Sequence, residues 1–339
     1  MNVRRFGWLV CGMVTAVVGA GCGTVADTTG SGSDLIPIQL GLQTGGAATL
    51  PIVIAERDGL FAKHGIAVEQ VETKTDLLNA AFASKSIEVA FQTPVFYATA
   101  FQRGQKLQPF CGLTQRDWAT IVVRADSGVP VAAGTDYRAT TAALSGKVVG
   151  VAALGGSNDR ALQSIVGLVG QDPRAFSTIA VGAGAPAVAA FRAGQIDALV
   201  ASPFTNQALV GSGEGKIVFG FADNAPDQYR QAIYTAFGAP ADWLATNRNA
   251  AQRFCAAMED AYGVIRAQGP SGGLDSLLES EYGLAEPVTR AEVVKAGGPL
   301  DQFGTQITCE QIGSALSLAL ANGVLKEPVP TCEEILWKP

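Results

Sequence analysis

Gly59-Leu60-Phe61-Ala62-Lys63-His64-Gly65-Ile66-Ala67-Val68-Glu69 reads as the end of a helix, a stop and the start of a strand. Upstream, Leu50 to Ala62 carries apolar residues at helical spacing, broken at Gly59. Gly65 is free to take the left-handed conformation that ends a helix. Ile66, Val68 and Val71 then open a strand. Further upstream, the apolar run Ile36 to Leu42 leads into the polar turn Gln43-Thr44-Gly45-Gly46. Strand, small-residue loop, helix and strand together make a βαβ unit.

The same pattern continues along the chain. Asp76 to Lys85 predicts a short helix with Leu77, Leu78, Ala81 and Phe82 on one face. Ile87 to Phe91 predicts a strand that stops at Gln92-Thr93-Pro94, and Val95 to Arg103 a helix with Pro94 in its first turn. The β-rich run Trp118 to Arg124 leaves this first lobe, and Asp126 to Thr141 is a polar connection. Val148 to Val151 opens a second lobe. The loop Ala153 to Asp159 follows, then a helix over Arg160 to Val169 that Ser157, Asn158 or Asp159 is suited to cap. Ile179 to Val181 and Ala198 to Ala201 are strands, with a helix over Ala185 to Ala193 between them that stops at Gly194. Ile217 to Phe221 is expected to return to the first lobe. The tail from Asp227 reads mostly helical, over Asp242 to Ala267, Thr289 to Ala296 and Thr308 to Gly323.

Taken together, the run Leu50-Pro51-Ile52-Val53-Ile54-Ala55-Glu56, the stretch Gly59 to Gly65, and Val89-Ala90-Phe91-Gln92-Thr93-Pro94 resemble the SsuA/THI5-like (NMT1) family of periplasmic solute-binding proteins. Leu144 to Val151 and Ala193 to Ala198 extend the resemblance, which covers about residues 35–221. It implies an α/β, bilobal periplasmic-binding-protein fold (Venus flytrap, type II): two small twisted sheets flanked by helices, with a helical C-terminal tail. It also implies a receptor that hands a small-molecule ligand to an ABC permease in the membrane. With about 305 residues beyond residue 34, two lobes are expected on size alone. They are drawn as residues 35–124 plus 222–339 and residues 125–221, with hinges near Arg124-Ala125 and Phe221-Ala222. A monomer is the default.

Residues 1–21 read as a lipoprotein signal peptide. Arg4 and Arg5 form a basic start, and Phe6 to Ala20 is an uncharged apolar run. That run is shorter than the roughly 20 residues a membrane-crossing helix requires. Gly19-Ala20-Gly21-Cys22 resembles a lipidation site, with Gly19 in the place of the usual large aliphatic residue. Cys22 would carry the lipid, and residues 22–34, rich in Gly, Ser and Thr, would form a tether to the outer face of the cytoplasmic membrane or in the periplasm. The formal charge of −6 includes Arg4 and Arg5, so −8 remains without those two. No basic stripe is present, which argues against a nucleic-acid partner.

Beyond Cys11 and Cys22 the chain has Cys111, Cys255, Cys309 and Cys332. Four cysteines allow three pairings, and export permits disulfides. The pairing favoured is Cys309–Cys332 with Cys111–Cys255; four free thiols is the alternative. Their spacing matches no zinc motif.

Ligands in open α/β sheets bind beyond the carboxyl ends of strands. Four loops qualify: Gln43 to Gly46, Gln92 to Pro94, Leu154 to Asn158, and Ser202 to Thr205. The resemblance carries ligand contact chiefly onto Thr44, Gly45, Thr93, Gly156, Ser157 and Ser202, to which Pro94 and Asn158 are added from the same loops. Phe96, Trp118 and Phe204 are candidates for an aromatic wall, and core packing is the competing use for each. Hydroxyls, amides and helix N-termini suit a sulfonate or carboxylate, and equally a polar heterocycle. These loops contain no arginine, although Arg116 and Arg160 lie near in sequence.

No catalytic residue, metal or cofactor is expected. His64 is the only histidine and falls in the helix-stopping turn, where it is expected to be solvated. With one histidine there, no Ser-His-Asp arrangement is expected. Gly182, Gly184 and their neighbours form only a partial dinucleotide fingerprint, because Asp197 lies too near and before its strand. Two other roles remain open beside the receptor: a ligand-sensing lipoprotein without transport, and a THI5-like pyrimidine-precursor enzyme. The enzymes of that type carry a cysteine cluster absent here.

Overall fold

In the computed structural model, residues 35–42, 46–74, 77–295 and 298–338 are described. The expected signal peptide, Cys22, the tether, Thr44 and Gly45 lie outside the described residues. The chain runs β1 (Ile36–Leu42), α1 (Leu50–Arg57), α2 (Leu60–Lys63), β2 (Ile66–Glu72), α3 (Leu78–Ala83), β3 (Val89–Gln92), α4 (Pro94–Gln102) and β4 (Leu107–Thr114). It continues through β5 (Thr120–Arg124), α5 (Arg138–Ala142), β6 (Val148–Val151), α6 (Ser157–Leu168), β7 (Ser177–Ala180), α7 (Ala185–Arg192), β8 (Ala198–Ala201), α8 (Thr205–Gly211) and β9 (Gly215–Gly220). The last part comprises α9 (Phe221–Asn224), α10 (Asp227–Arg230), β10 (Thr235–Pro240), α11 (Ala241–Thr246), α12 (Arg248–Gln268), α13 (Asp275–Tyr282), α14 (Pro287–Val294), α15 (Cys309–Ala321) and α16 (Cys332–Ile335).

The opening unit forms as its residues predict. Gly59 and Gly65 take φ of 66° and 73°, so the chain breaks between α1 and α2 and stops before β2. β1 pairs parallel with β2, with Ile36 opposite Ile66. His64 is more engaged than expected: its Nε2 lies 2.9 Å from Asp260 Oδ2, which also accepts from Lys63 Nζ at 2.7 Å. The Asp260 carboxyl is held below its usual range, by Lys63 first and His64 second.

Two five-stranded sheets result. The first has the order β2-β1-β3-β10-β4 and the second β7-β6-β8-β5-β9. In each, four strands run the same way and one opposes them: β10 in the first sheet, antiparallel to β3 and β4, and β5 in the second, antiparallel to β8 and β9. Each fourth strand is exchanged. β5, which precedes the other strands of the second sheet, inserts between β8 and β9, and β10, from the far end of the chain, inserts between β3 and β4.

This exchange corrects the expected crossing points. The chain leaves the first sheet between Thr114 and Thr120, ahead of β5, rather than at Arg124-Ala125. Ile217 to Phe221 does not return either: residues 215–220 stay in the second sheet as β9, and the return runs through α9 and α10. The tail is not wholly helical, because it contributes β10. β4 was also unanticipated. Pro109 interrupts its pattern, and a proline is tolerated there because β4 lies at the edge of the sheet, beside β10. Leu77, expected on the buried face of α3, is 53% exposed.

Leu35–Pro339 forms one compact unit. Its largest apolar cluster joins the first sheet to α1, α12 and α13 through Leu40, Ile52, Phe237, Phe254, Tyr262 and Leu278, all fully buried. A second cluster fills one face of the second sheet, around Leu162, Ile165, Val200 and Phe219. Both favoured disulfides form. Cys111–Cys255 joins β4 to α12, and Cys309–Cys332 joins α15 to α16. Among the described residues no helix is long and apolar enough to cross a membrane.

Candidate functional site between the two sheets

The four predicted loops leave the carboxyl ends of β1, β3, β6 and β8. β1 is hydrogen-bonded to β3, and β6 to β8, so each sheet presents its two loops side by side.

On the first sheet, Thr93 caps α4. Its Oγ1 accepts from the Phe96 N–H at 3.4 Å, and Pro94 sits buried at the start of the helix. Phe96 is half-buried with its ring edge-on to Tyr97, 5.7 Å away. The other loop is described from Gly46. Thr49 Oγ1 donates to the Gly46 carbonyl at 2.8 Å and lies 3.0 Å from Tyr282 Oη at the end of α13. A threonine hydroxyl has one proton, so the tyrosine donates in this second contact.

On the second sheet, α6 begins at Ser157, three residues before the expected start, and its N-cap is Gly156 without a side-chain cap. None of the three expected capping residues plays that role. Asn158 is buried and donates through Nδ2 to the Val200 carbonyl at 3.3 Å, tying the helix to β8. Asp159 Oδ2 accepts from the Gly155 N–H at 2.7 Å. Ser157 is exposed, and Tyr234 Oη donates to its Oγ at 3.4 Å from the return segment. Among the described residues no side chain accepts from the first-turn amides of α6, which leaves them as donors.

The loop after β8 is the most constrained. Phe204 has φ 77° and ψ −48°, the γ-turn region, where a bulky residue costs of order 1–3 kcal/mol. Two buried amides hold it there. The Phe204 N–H donates to Gln207 Oε1 at 2.8 Å, while Asn206, fully buried, donates to Thr120 Oγ1 at 2.7 Å. The Phe204 ring packs edge-on to Tyr282, 4.9 Å away. Trp118 likewise packs on Phe303, at 5.4 Å. Both aromatics are only 6% exposed, so most of each ring is engaged in packing. Ser202 is half-buried.

Asp117, Thr49, Tyr234 and Tyr282 were not singled out from sequence, since each becomes relevant only through partners far along the chain. Asp117 lies on the first crossing between the sheets and is 6% exposed. Its Oδ1 accepts from Ala119 N–H at 3.0 Å and its Oδ2 from Tyr229 Oη, on the second crossing, at 3.2 Å. Burial pushes its pKa up to about 6, with those two bonds opposing. Arg116 and Arg160 are both exposed. Among the described residues no cluster of three or more His, Cys, Asp or Glu is placed to hold a metal ion. An open groove of about 720 Å³ runs beside this region, lined by Thr49, Glu56, Gln70, Ser280 and Tyr282. It has no residue from the second sheet, so it does not bring the predicted loops together.

Two mixed five-stranded sheets that exchange their fourth strands and cross twice define the bilobal periplasmic-binding fold. Residues 47–269 match the NMT1/THI5 like family. The chain belongs to that family. Solved structures of similar shape include a protein from Bordetella bronchiseptica RB50 (21% identity, 90% of this chain and 95% of that one covered, TM-score 0.70). The periplasmic aliphatic sulphonate binding protein SsuA from Escherichia coli is similar at 18% identity, with 88% and 97% covered and a TM-score of 0.69. The periplasmic nitrate-binding protein NrtA from Synechocystis PCC 6803 is similar at 17% identity, with 89% and 86% covered and a TM-score of 0.67. At these identities the likeness establishes the fold. No curated protein matches at the sequence level.

Proposed function

We propose that the chain is an extracytoplasmic solute-binding receptor that captures a small organic molecule between its two sheets and delivers it to an ABC permease. The observation that carries this reading is the pairing of loops at the carboxyl ends of β1 and β3 on one sheet and β6 and β8 on the other. The names of the sulphonate- and nitrate-binding relatives support it. Hydroxyls and the uncapped start of α6 supply donors for a sulfonate or carboxylate, and the same groups suit a polar heterocycle. Ligand contact is assigned to Thr44, Gly45, Thr93, Pro94, Gly156, Ser157, Asn158 and Ser202, with Trp118 and Phe204 behind them. Two lobes, each built on one sheet, close about the two crossings at residues 115–119 and 221–234. The receptor works as a monomer held to the membrane by lipid on Cys22. No catalytic group is required.

Thermal unfolding of the mature chain against sulfonates, carboxylates and nitrogen heterocycles tests this. A ligand at about 100 times its Kd adds about 2.7 kcal/mol, which moves Tm by several degrees. A rise with one class, lost in Ser157→Ala and Thr93→Ala, is expected. No shift with any class, or a shift unchanged in both variants, counts against the site. Mass spectrometry of the mature N-terminus should find a diacylglyceryl adduct on Cys22, and an unmodified terminus downstream of Cys22 would remove the anchor.

A further inference from the structure

The loop after β8 belongs to the second sheet, yet its aromatic ring is buried in the apolar cluster of the first. Among the described residues of 119–220, Phe204 alone joins that cluster. The ring meets Tyr282, whose hydroxyl bonds Thr49, whose hydroxyl in turn bonds the Gly46 carbonyl. The relay therefore starts in one predicted ligand loop and ends in another on the opposite sheet. We propose that Phe204, Tyr282 and Thr49 form a clasp that couples these two loops, so that ordering one orders the other. Phe204 and Tyr282 are then positioning residues for the binding site.

Three further observations fit a built device rather than incidental packing. The Phe204 backbone is held in a strained conformation that glycine would adopt freely, which orients the ring away from its own sheet. The two amides that hold it, from Asn206 and Gln207, are themselves buried, and Asn206 anchors the loop to Thr120 on β5. The helix pair that carries the other half of the clasp also grips the second sheet: α14 lies so close to α8 that a Cβ on Gly211 would fall 2.5 Å from Thr289 Oγ1 and 2.9 Å from its Cα. Elsewhere Asn322, at the end of α15, donates through Nδ2 to Ser164 Oγ on α6 at 2.8 Å.

The proposal rests on the ligand-site reading only in naming the loops as ligand loops, and its test uses no ligand, so the two fail separately. Amide hydrogen exchange is followed on the full mature chain at Thr49, whose N–H donates to Gly46, and at Phe204, whose N–H donates to Gln207. Tyr282→Phe keeps the ring against Phe204 and removes only the bond to Thr49, while Phe204→Ala removes the ring. A clasp predicts reciprocal effects: exchange about five- to tenfold faster at Thr49 in Phe204→Ala and at Phe204 in Tyr282→Phe, with β1 and β6 unchanged. Effects confined to the mutated residue's own sheet would overturn it. Should Phe204→Ala not fold, Tyr282→Phe decides alone, since it leaves the apolar packing intact.

Discussion

The first and second sheets share a strand order but are held by different means. In the first, two large buried tyrosines are hydrogen-bonded. Tyr97, fully buried under β3 and β10, donates to the Ala90 and Ala236 carbonyls at 3.2 and 2.8 Å, and Tyr262 donates to Gly112 at 2.9 Å. Both disulfides lie on that side, one of them tying edge strand β4 to α12. The second sheet has no bridge among the described residues; beside its apolar packing it is tied by amide side chains, Asn158 to the Val200 carbonyl and Asn206 to Thr120. Its buried tyrosine, Tyr137, packs 5.1 Å from Phe219 and has no hydrogen-bond partner for its hydroxyl. One topology thus carries two long-range covalent ties in one copy and none among the described residues of the other.

The largest expected effect separates the two copies. Replacing Cys111 and Cys255 together by alanine opens a 144-residue separation, worth up to about 5 kcal/mol in chain entropy. Denaturant unfolding followed by hydrogen exchange should show amides of the first sheet losing protection before those of β6 and β8. Simultaneous loss would mean that the two sheets unfold as one cooperative unit.

The next comparison uses a glycine in each sheet. A Cβ at Gly238 on β10 would lie 2.4 Å from Tyr97 Cε1, in a ring pinned by two hydrogen bonds. A Cβ at Gly150 on β6 would lie 2.6 Å from Ile196 Cδ1, the flexible end of an aliphatic chain. Gly238→Ala should cost about 3 kcal/mol and Gly150→Ala about 1 kcal/mol, read from urea midpoints. Equal costs would show that the polar pinning of Tyr97 adds no rigidity.

Asp117 sits where the two halves join, and its effect depends on pH. Burial raises its folded pKa to about 6, above the ordinary 3.8 of an aspartate. The folded state therefore binds more protons, and stability falls as pH rises from about 4 through about 6. The full penalty above that window is about 3 kcal/mol at most. Asp117→Asn keeps an acceptor for the Ala119 N–H and removes the charge. It should stabilise the protein by about 1–3 kcal/mol at pH 7.5 and leave it nearly unchanged at pH 4. A gain that does not vary between those pH values would refute the burial argument.

The smallest pair of effects should differ in sign. Tyr262→Phe leaves the Gly112 carbonyl short of a donor and should cost about 1 kcal/mol, whereas Tyr137→Phe removes an unpaired hydroxyl and should be neutral or stabilising by up to about 1 kcal/mol. Two losses of equal size would point to an unseen partner, such as an ordered water, on Tyr137.

Much of this architecture is legible in short windows of sequence. The limits of β1, the breaks at Gly59 and Gly65, Pro94 in the first turn of α4, the stop at Gly194 and the limits of β8 follow from residues within a turn or two of each other. So do the four loops, because each follows a recognisable strand. Of the disulfides, Cys309–Cys332 closes a short stretch, whereas Cys111–Cys255 joins positions 144 residues apart. Other features depended on distant partners. Thr235-Ala-Phe-Gly-Ala-Pro240 has no alternation, since almost all of it is buried between β3 and β4, and it became a strand only because those two edges were open to it. Thr120 to Arg124 was readable as a strand, but its sheet was set by pairing with β8 and β9. The clasp and the buried Asp117 are further from view still, because Phe204 meets Tyr282, and Asp117 meets Tyr229, across long stretches of chain. Local chemistry determined which segments are helices, strands and loops; which strand enters which sheet, and which side chains meet across the gap, was decided by long-range pairing and burial that no local window contains.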